Sequence, residues 1–363
     1  MKSNGTKKHE ILFSSNGVRL NIWQWILVAV FCIAAIIFLP SIWKMIEKFS
    51  PGKDYRLPYQ LSSDYWLYER YAQLACTKYD SVILGDSVVW GHYVPKNQTL
   101  SHYLNELTGV NKFANLGVDG MHPAALDGLM RYYGEDIKNK NVILHLNLLW
   151  LSSPKHDLQT DKEFRFNHPK LVSQFTKKIP CYMAPFPSRL AIVLERPLAF
   201  PAWTSHLNIT YFNNLNMPAW TMDNPYKNPF RVINSNLFET DTYQKNEGID
   251  STENKTSGGD FQWVQAGTSL QWKFFRNTIE LLQKRNNKIL VMIGPFNEHM
   301  LAGESLDNYL KLKSEIEKWL ELNNIAYYAP AVLPAELYND ASHPTSQGYK
   351  ILAQELLDSE TLN

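Results

Sequence analysis

The chain is poor in cysteine and in net charge, and it has no internal repeat. Of its three cysteines, Cys32 falls in an apolar stretch, and neither Cys76 nor Cys181 has a second Cys or His at the spacing of a metal site. We therefore expect no metal and no cofactor. Whether Cys76 and Cys181 pair depends on the distance between their Cα atoms, which the sequence leaves open. A formal net charge of +1 without a basic stripe argues against a nucleic-acid partner.

Charged residues are also absent from Asn21 to Trp43. This stretch is long enough to span a hydrocarbon core of about 30 Å, and Trp residues stand at both ends, as at the two membrane interfaces. A cleaved signal peptide would have a shorter apolar stretch that ends at small residues. The sequence therefore predicts a transmembrane anchor over 22–43 after a tail over 1–21. Lysine and arginine are balanced on its two sides, so charge does not define its orientation.

The most informative motif is Gly85-Asp86-Ser87, which ends a short apolar run. Val82–Leu84 predict a buried strand, because aliphatic and β-branched residues run together and stop at a glycine. A Ser that follows a parallel strand lies where open α/β sheets bind their ligands. If a helix follows, the Ser87 hydroxyl points into that crevice and its N–H faces a bound anion. Taken alone, the three residues are equally typical of an ordinary turn.

A second motif lies near the C-terminus, where Asp340 precedes His343 by three residues on a loop that leads into a predicted helix. At this spacing the carboxylate can accept a hydrogen bond from the imidazole Nδ1–H and fix its tautomer. The Nε2 atom is then free to take a proton from a Ser. An isolated Asp-x-x-His is more often a capping Asp beside a surface His. The pair indicates a catalytic role only in combination with the upstream Ser87.

Together, the two motifs resemble those of the SGNH (GDSL-type) hydrolase superfamily, whose first block carries the Ser and whose last block carries Asp-x-x-His. The resemblance covers about residues 78–358. It implies an α/β class of fold, a flavodoxin-like three-layer α/β/α arrangement with a parallel sheet. It also implies that Ser87 is the nucleophile, His343 the general base and Asp340 its orienting partner.

The same resemblance implies an oxyanion hole. Its donors would be the N–H groups of Ser87 and Gly117, the latter in the second block at 113–120, and the side-chain amide of Asn147 in the third. A glycine lets the backbone approach a ligand closely. The third block lacks the Gly before the Asn and the Asp after it that the family usually carries. A strand-end Asn is just as often a local cap.

Strands and helices alternate along the rest of the chain, which predicts a parallel sheet covered on both faces. The predicted strands lie at 82–84, 112–116, 142–147, 288–294 and 325–328. The predicted helices lie near 100–107, 124–133, 272–284, 306–322 and 346–357. A linker over 47–58, within a lead-in over 44–77, is expected to separate the anchor from a hydrolase-like domain over 78–363.

A long insertion over 152–260 interrupts this alternation. It has little periodicity and many prolines and aromatic residues, and its part at 246–259 predicts a flexible loop. A structureless loop of this length is unusual inside a domain, so the insertion is either an active-site cover or a membrane-facing subdomain. Its aromatic residues suit stacking on sugar rings or resting at a lipid interface. For most of them, local packing is the simpler role.

Polar residues also follow the predicted strand at 288–294. Asn297, Glu298 and His299 are expected to face the same crevice as Ser87 and to contact substrate. His299 is a rival for the catalytic base. It ranks below His343 because no Asp stands at hydrogen-bonding spacing from it.

The anchor and the aromatic insertion narrow the resemblance to the envelope-modifying branch of the superfamily, which includes teichoic-acid D-alanyl transfer and alginate O-acetyltransferase accessory proteins. It implies a membrane-anchored serine O-acyl esterase or O-acyltransferase that acts on cell-envelope polysaccharide. The catalytic domain would lie outside the cytoplasm and the tail inside, beside a multi-spanning membrane acyltransferase. One alternative is a catalytically weak or inactive glycan-binding or assembly partner, which the irregular third block favours. Another is a membrane-bound lipase or thioesterase.

Overall fold

Five parallel strands form one sheet in the order β2-β1-β3-β4-β5. The structure is a computed structural model that describes residues 20–235 and 261–359. In these ranges the strands are β1 (Ser81–Gly85), β2 (Phe113–Gly117), β3 (Asn141–Leu146), β4 (Lys288–Ile293) and β5 (Ala326–Tyr328). The prediction of an α/β fold with a parallel sheet is confirmed.

The chain divides into two compact units, residues 1–46 and residues 47–363, and both contain helices. The first unit contains α1 (Ile22–Ile46). In the described part of the second unit the helices are α2 (Tyr65–Lys78), α3 (Ser87–Trp90), α4 (Leu100–Thr108), α5 (Pro123–Tyr133), α6 (Phe186–Glu195), α7 (Ala199–Tyr211), α8 (Met217–Asp223), α9 (Leu270–Lys284), α10 (Glu304–Leu322) and α11 (Ser346–Asp358).

Helix α1 has 25 residues and a mean hydropathy of 2.7 in its most apolar window. At the rise of an α-helix it is about 37 Å long, which exceeds a hydrocarbon core of about 30 Å. By length and composition it is therefore apolar and long enough to cross a membrane. The helix continues beyond the predicted end at residue 43 and includes Pro40.

The sheet divides the buried side chains of the second unit into two clusters. Leu84 and Leu144 belong to one cluster, which includes residues of α2, α5, α9 and α10. Ile83 and Ile143, the adjacent positions on the same strands, belong to the other, with residues of α3, α4 and α11. Successive strand residues point to opposite faces of a sheet. The near-continuous apolar runs of the strands thus follow from burial on both faces.

The segment predicted as a linker at 47–58 is instead packed into the second unit. Tyr55 and Leu57 are buried. The Arg56 guanidinium donates hydrogen bonds to the carbonyl oxygens of Trp90, Gly91 and Val94, at 2.6 to 2.9 Å. It also lies 3.9 Å from the Trp90 ring centroid. The prediction missed this because the Pro and Gly residues there are typical of linkers, whereas tertiary contacts order them.

The described part of the insertion contains helices α6, α7 and α8, whereas the sequence predicts no regular structure there. Pro187 and Pro218 stand in the first turn of α6 and α8, a position where the missing N–H costs no hydrogen bond. These prolines therefore begin helices and do not mark loops. None of the side chains of α6 is buried. The loop predicted at 246–259 lies outside the described residues.

A buried histidine connects the insertion to the rest of this unit. His206 in α7 lies between two carboxylates: its Nδ1 is 2.7 Å from Asp64 Oδ2 and its Nε2 is 2.8 Å from Glu47 Oε1. Tyr211 donates to the same Glu47 oxygen at 2.6 Å. Burial alone would lower the pKa of His206, but the two carboxylates raise it to about 9. A buried imidazolium thus holds α7 against the start of α2.

Cys76 and Cys181 are not paired in the structure. Cys181 is buried and its thiol lies 3.6 Å from the Leu158 carbonyl oxygen. Burial raises the pKa of the Cys76 thiol to about 11. These environments favour neutral thiols.

Candidate active site

The candidate site begins at the carboxyl end of β1. Asp86 follows the strand with extended backbone and caps α3, because its Oδ1 accepts a hydrogen bond from the Val88 N–H at 3.0 Å. Ser87 is the first residue of that short helix. Its backbone N–H donates no hydrogen bond among the described residues. The sharp change from strand to helix therefore presents both the Ser87 hydroxyl and its N–H at the edge of the sheet.

The loop before α11 carries the other two residues. Asp340 Oδ1 accepts hydrogen bonds from the N–H groups of Ser342 and His343, each at 2.9 Å. This local turn brings Asp340 Oδ2 to 2.8 Å from His343 Nδ1. Thr345 then caps α11. Asp340 thus fixes both the backbone of the loop and the imidazole that the loop carries.

The two ends of the site meet at His343. Its Nε2 lies 2.9 Å from the Ser87 hydroxyl oxygen, within hydrogen-bond distance. Burial would lower the pKa of His343, but the hydrogen bond and charge of Asp340, with the charges of Asp86 and Asp119, raise it. Burial would likewise raise the pKa of Asp340, whereas the contacts with His343 lower it. In this geometry a Ser hydroxyl, an imidazole and a carboxylate are able to act as nucleophile, base and orienting group.

The carboxylate of Asp86, the residue before Ser87, is almost completely buried and is surrounded by donors. Its Oδ2 accepts from Asn147 Nδ2 at 2.8 Å and from Trp150 Nε1 at 2.9 Å. His145 Nδ1 lies 3.2 Å from its Oδ1. Burial would raise the pKa of Asp86, but His145, His343 and Asn147 lower it to about 2. A buried negative charge therefore supports the first turn of α3.

Asn147 follows β3 as predicted, but its amide has another use. Besides the bond to Asp86, its Nδ2 donates to Ser342 Oγ at 3.3 Å, and its Oδ1 accepts from the Leu149 N–H. Both amide hydrogens are thus engaged inside the protein. Its role as an oxyanion donor stays a prediction, and it would require one of these bonds to break.

The N–H of Gly117, another expected oxyanion donor, is also hydrogen-bonded inside the protein. It donates to Asn115 Oδ1 at 3.0 Å. A Cβ atom at Gly117 would lie 2.4 Å from the Trp90 backbone nitrogen, so glycine is required here because α3 packs directly on β2. The next glycine, Gly120, has a φ of 68° and its N–H donates no hydrogen bond among the described residues. On this loop, Gly120 is the better candidate for an oxyanion donor.

The residues after β4 do not share one role. The Asn297 N–H donates to the Ala341 carbonyl at 2.8 Å, so it supports the loop that carries Asp340. Glu298 faces Lys313 at 3.6 Å. His299 Nε2 lies 3.0 Å from the Leu333 carbonyl oxygen. These contacts engage the side chain of Glu298 with α10 and that of His299 with the loop before α11, and the substrate contacts of Asn297, Glu298 and His299 stay a prediction.

Three residues beside His343 were not predicted. His92 and Tyr93 lie with their ring centroids 5.3 and 5.5 Å from that of His343. His92 Nδ1 lies 3.1 Å from Asp119 Oδ1. Tyr93 has a φ of 69°, a strained backbone for a bulky residue and one that tends to occur at functional sites. Their positions in the sequence could have indicated them, because His92 and Tyr93 come just after the Ser87 motif and Asp119 comes just after β2.

The insertion supports this side of the site through His168. Its Nε2 lies 2.9 Å from the Asp119 carbonyl oxygen and its Nδ1 3.0 Å from the Tyr65 hydroxyl. A cavity of about 290 Å³ adjoins His168, between α2, α5 and the insertion helices α6 and α7. It is lined by neither Ser87 nor His343, so it is distinct from the crevice where the candidate chemistry lies.

No family model matches this chain, and no curated protein matches it. Within 20–235 and 261–359, no group of three or more His, Cys, Asp and Glu residues is arranged to hold a metal ion. The candidate site is therefore defined by its own geometry, as a Ser-His-Asp arrangement at the carboxyl edge of a parallel sheet.

Proposed function

We propose that this protein is a membrane-anchored serine O-acyl esterase or O-acyltransferase of the SGNH type that acts on cell-envelope polysaccharide. The observation that carries the proposal is the continuous hydrogen-bonded series from Ser87 through His343 to Asp340, with contacts of 2.9 and 2.8 Å. These distances suit proton transfer from a hydroxyl nucleophile to an imidazole base.

The fold supports the same assignment. The strand order 2-1-3-4-5 is that of flavodoxin-like doubly wound sheets, in which ligands bind outside the carboxyl ends of the strands where the order reverses. That reversal lies between β1 and β3, and Ser87 directly follows β1. A flavodoxin-like three-layer α/β/α fold of the SGNH kind accounts for both the sheet and the position of the nucleophile.

The proposed reaction has two halves. Ser87 Oγ attacks the carbonyl carbon of an ester while His343 Nε2 takes the hydroxyl proton. The negative charge that develops on the carbonyl oxygen is stabilised by the N–H groups of Ser87 and Gly120. When the ester C–O bond breaks, His343 gives its proton to the leaving alcohol and the acyl group stays on Ser87. Water or a second alcohol then reverses these steps, which gives hydrolysis or transfer.

The location follows from α1 and from the resemblance. A helix that is long and apolar enough to cross a membrane supports a single-pass anchor. Placing the catalytic domain outside the cytoplasm, beside a multi-spanning membrane acyltransferase, rests on the resemblance to envelope-modifying proteins. O-acylated glycan of the envelope would be the substrate of such an enzyme.

A second candidate is a catalytically weak or inactive glycan-binding or assembly partner. The bonds of Gly117 to Asn115 and of Asn147 to Asp86 favour it, because they occupy two of the three expected oxyanion donors. Removal of one such donor typically lowers turnover by about 10²–10³. Hydrolysis of p-nitrophenyl acetate and then of O-acetylated glycan by the full chain in detergent separates the two functions. An enzyme loses this activity in Ser87→Ala, whereas equal activity of the wild type and the variant would favour the binding-partner function.

A further inference from the structure

We propose that His92, held by Asp119, binds the hydroxyl group next to the reacting one, so that the site selects acceptors with two adjacent hydroxyl groups. The inference rests on the proposed acyl transfer at Ser87 and names the chemical class of its acceptor. It concerns a pair of residues that the triad mechanism does not use.

The backbone fixes His92 relative to the nucleophile. Its N–H donates to the Ser87 carbonyl oxygen at 2.9 Å. Gly91 before it adopts a φ of 88°, which ends α3 and turns the chain back. The imidazole of His92 consequently lies beside that of His343, with ring centroids 5.3 Å apart and ring planes at 46°. The turn of helix that carries Ser87 therefore holds His92 directly, and His343 contacts the same turn through the Ser87 hydroxyl.

The tautomer of His92 follows from its partner. Its Nδ1 lies 3.1 Å from the Asp119 carboxylate, which favours a proton on Nδ1. Its Nε2 makes no hydrogen bond among the residues that the structure describes, and one third of the side chain is exposed. His92 Nε2 is therefore an available acceptor, and His343 Nε2 is the acceptor that already faces Ser87.

Two neighbouring acceptors match two neighbouring donors. A hydroxyl at the reacting position gives its proton to His343, while the hydroxyl on the adjacent carbon donates a hydrogen bond to His92. A simple alcohol makes only the first of these contacts, and the additional rotatable bond of a 1,3-diol leaves its second hydroxyl less well positioned for His92. Sugar rings and glycerol units carry such adjacent pairs, which agrees with a polysaccharide acceptor.

The transfer step balances without a further reactant. The acceptor oxygen attacks the carbonyl carbon of acyl-Ser87 and forms the new C–O bond, and its proton moves to His343 Nε2. The bond between that carbon and Ser87 Oγ then breaks, and the oxygen takes the proton back from His343. The hydroxyl held by His92 keeps its proton throughout, so His92 contributes binding and orientation.

The test compares two diols of the same composition, 1,2-propanediol and 1,3-propanediol, as acceptors. The full chain in detergent is given p-nitrophenyl acetate with each diol, and the total monoacetate of that diol, acetate and p-nitrophenol are quantified by chromatography. One additional hydrogen bond predicts a preference of about 3- to 10-fold for the 1,2-diol. His92→Phe should abolish this preference, and His92→Gln, which restores a polar group near the Nε2 position, should recover part of it.

His102 provides the matched control, because its Nδ1 lies 2.9 Å from Asp54 in an equivalent His–Asp pair on α4. His102→Gln should keep the preference. Equal use of the two diols by the wild type, or a preference that survives in His92→Phe, would overturn the role of His92. Acyl release that depends on Ser87 would still support the proposed enzyme in that case. Because the wild-type comparison needs no variant, poor folding of His92→Phe does not remove the test. Acyl release that is equal in Ser87→Ala would overturn the proposed enzyme itself.

Discussion

The Nε2 atom of His343 lies 2.9 Å from the Oγ atom of Ser87, although 256 positions separate the two residues in the chain. Each is placed by local structure: Ser87 by the turn from β1 into α3, and His343 by the turn that Asp340 makes before α11. The parallel sheet brings these two turns to one edge.

Asn147→Ala tests whether the Asn147 amide supports Asp86 or binds an oxyanion. If it supports Asp86, removal of one donor to a buried carboxylate costs about 1–3 kcal/mol of stability. Trp150→Phe removes the other donor to the same oxygen and keeps an aromatic ring, so it should have a similar effect on both stability and turnover. Melting temperature and p-nitrophenyl acetate hydrolysis are measured for both variants. A rate loss of about 10²–10³ in Asn147→Ala alone, with unchanged stability, would instead show an oxyanion donor.

The pH dependence of acyl transfer should follow His343. The base must be neutral to accept a proton, and nearby carboxylates raise its pKa above the ordinary 6.5. Activity should therefore increase with pH through a midpoint above 6.5. Asp119→Asn removes one of the charges that raise this pKa and should move the midpoint to lower pH. The profile of kcat/KM for the wild type and this variant is the measurement, and an unchanged midpoint would contradict the electrostatic role of Asp119.

His206→Gln tests the ion pairs that hold α7. Loss of a buried cation between Glu47 and Asp64 should destabilise the fold by about 3–5 kcal/mol, because both carboxylates stay buried. The pKa of His206 is raised from 6.5 to about 9. Its contribution is thus fully present below about pH 6.5 and is lost as the pH rises through about 9.

Denaturant unfolding at several pH values measures this contribution. The wild type should lose stability between about pH 7 and 10, and His206→Gln should lose less over the same interval. His299→Gln is the control, since that exposed side chain accounts for one hydrogen bond to a carbonyl. Parallel curves for the wild type and His206→Gln would refute the charged state assigned to His206.

Several features were predictable from the sequence because they are local. The apolar strands, the amphipathic helices α9 and α10 and the two motifs around Ser87 and His343 each depend on neighbouring residues. The packed segment before α2 was not predictable, because Arg56 is ordered by carbonyl groups of distant residues. The hydrogen bond of Asn147 to Asp86 was missed for a similar reason, since 61 positions separate the two residues in the chain.

Removal of residues 1–45 should release the second unit from the membrane, since the long apolar helix is confined to the first. The full chain should sediment with membranes and the truncated chain should remain in the supernatant after ultracentrifugation. If the truncated chain stays with the membranes without aggregating, the exposed apolar side chains of the insertion, such as Phe186, Leu194 and Met222, bind lipid themselves.

The central claim is that Ser87 is an activated nucleophile, and labelling with a fluorophosphonate probe tests it most directly. The Ser87 oxygen should attack the phosphorus atom and displace fluoride, and peptide mass spectrometry should locate the adduct on Ser87. Asp340→Asn, in which the imidazole takes the wrong tautomer, should be labelled about 10⁴-fold more slowly, and Ser87→Ala not at all. Absence of an adduct on Ser87 in the folded wild type, or equal labelling rates for the wild type and Asp340→Asn, would contradict the account.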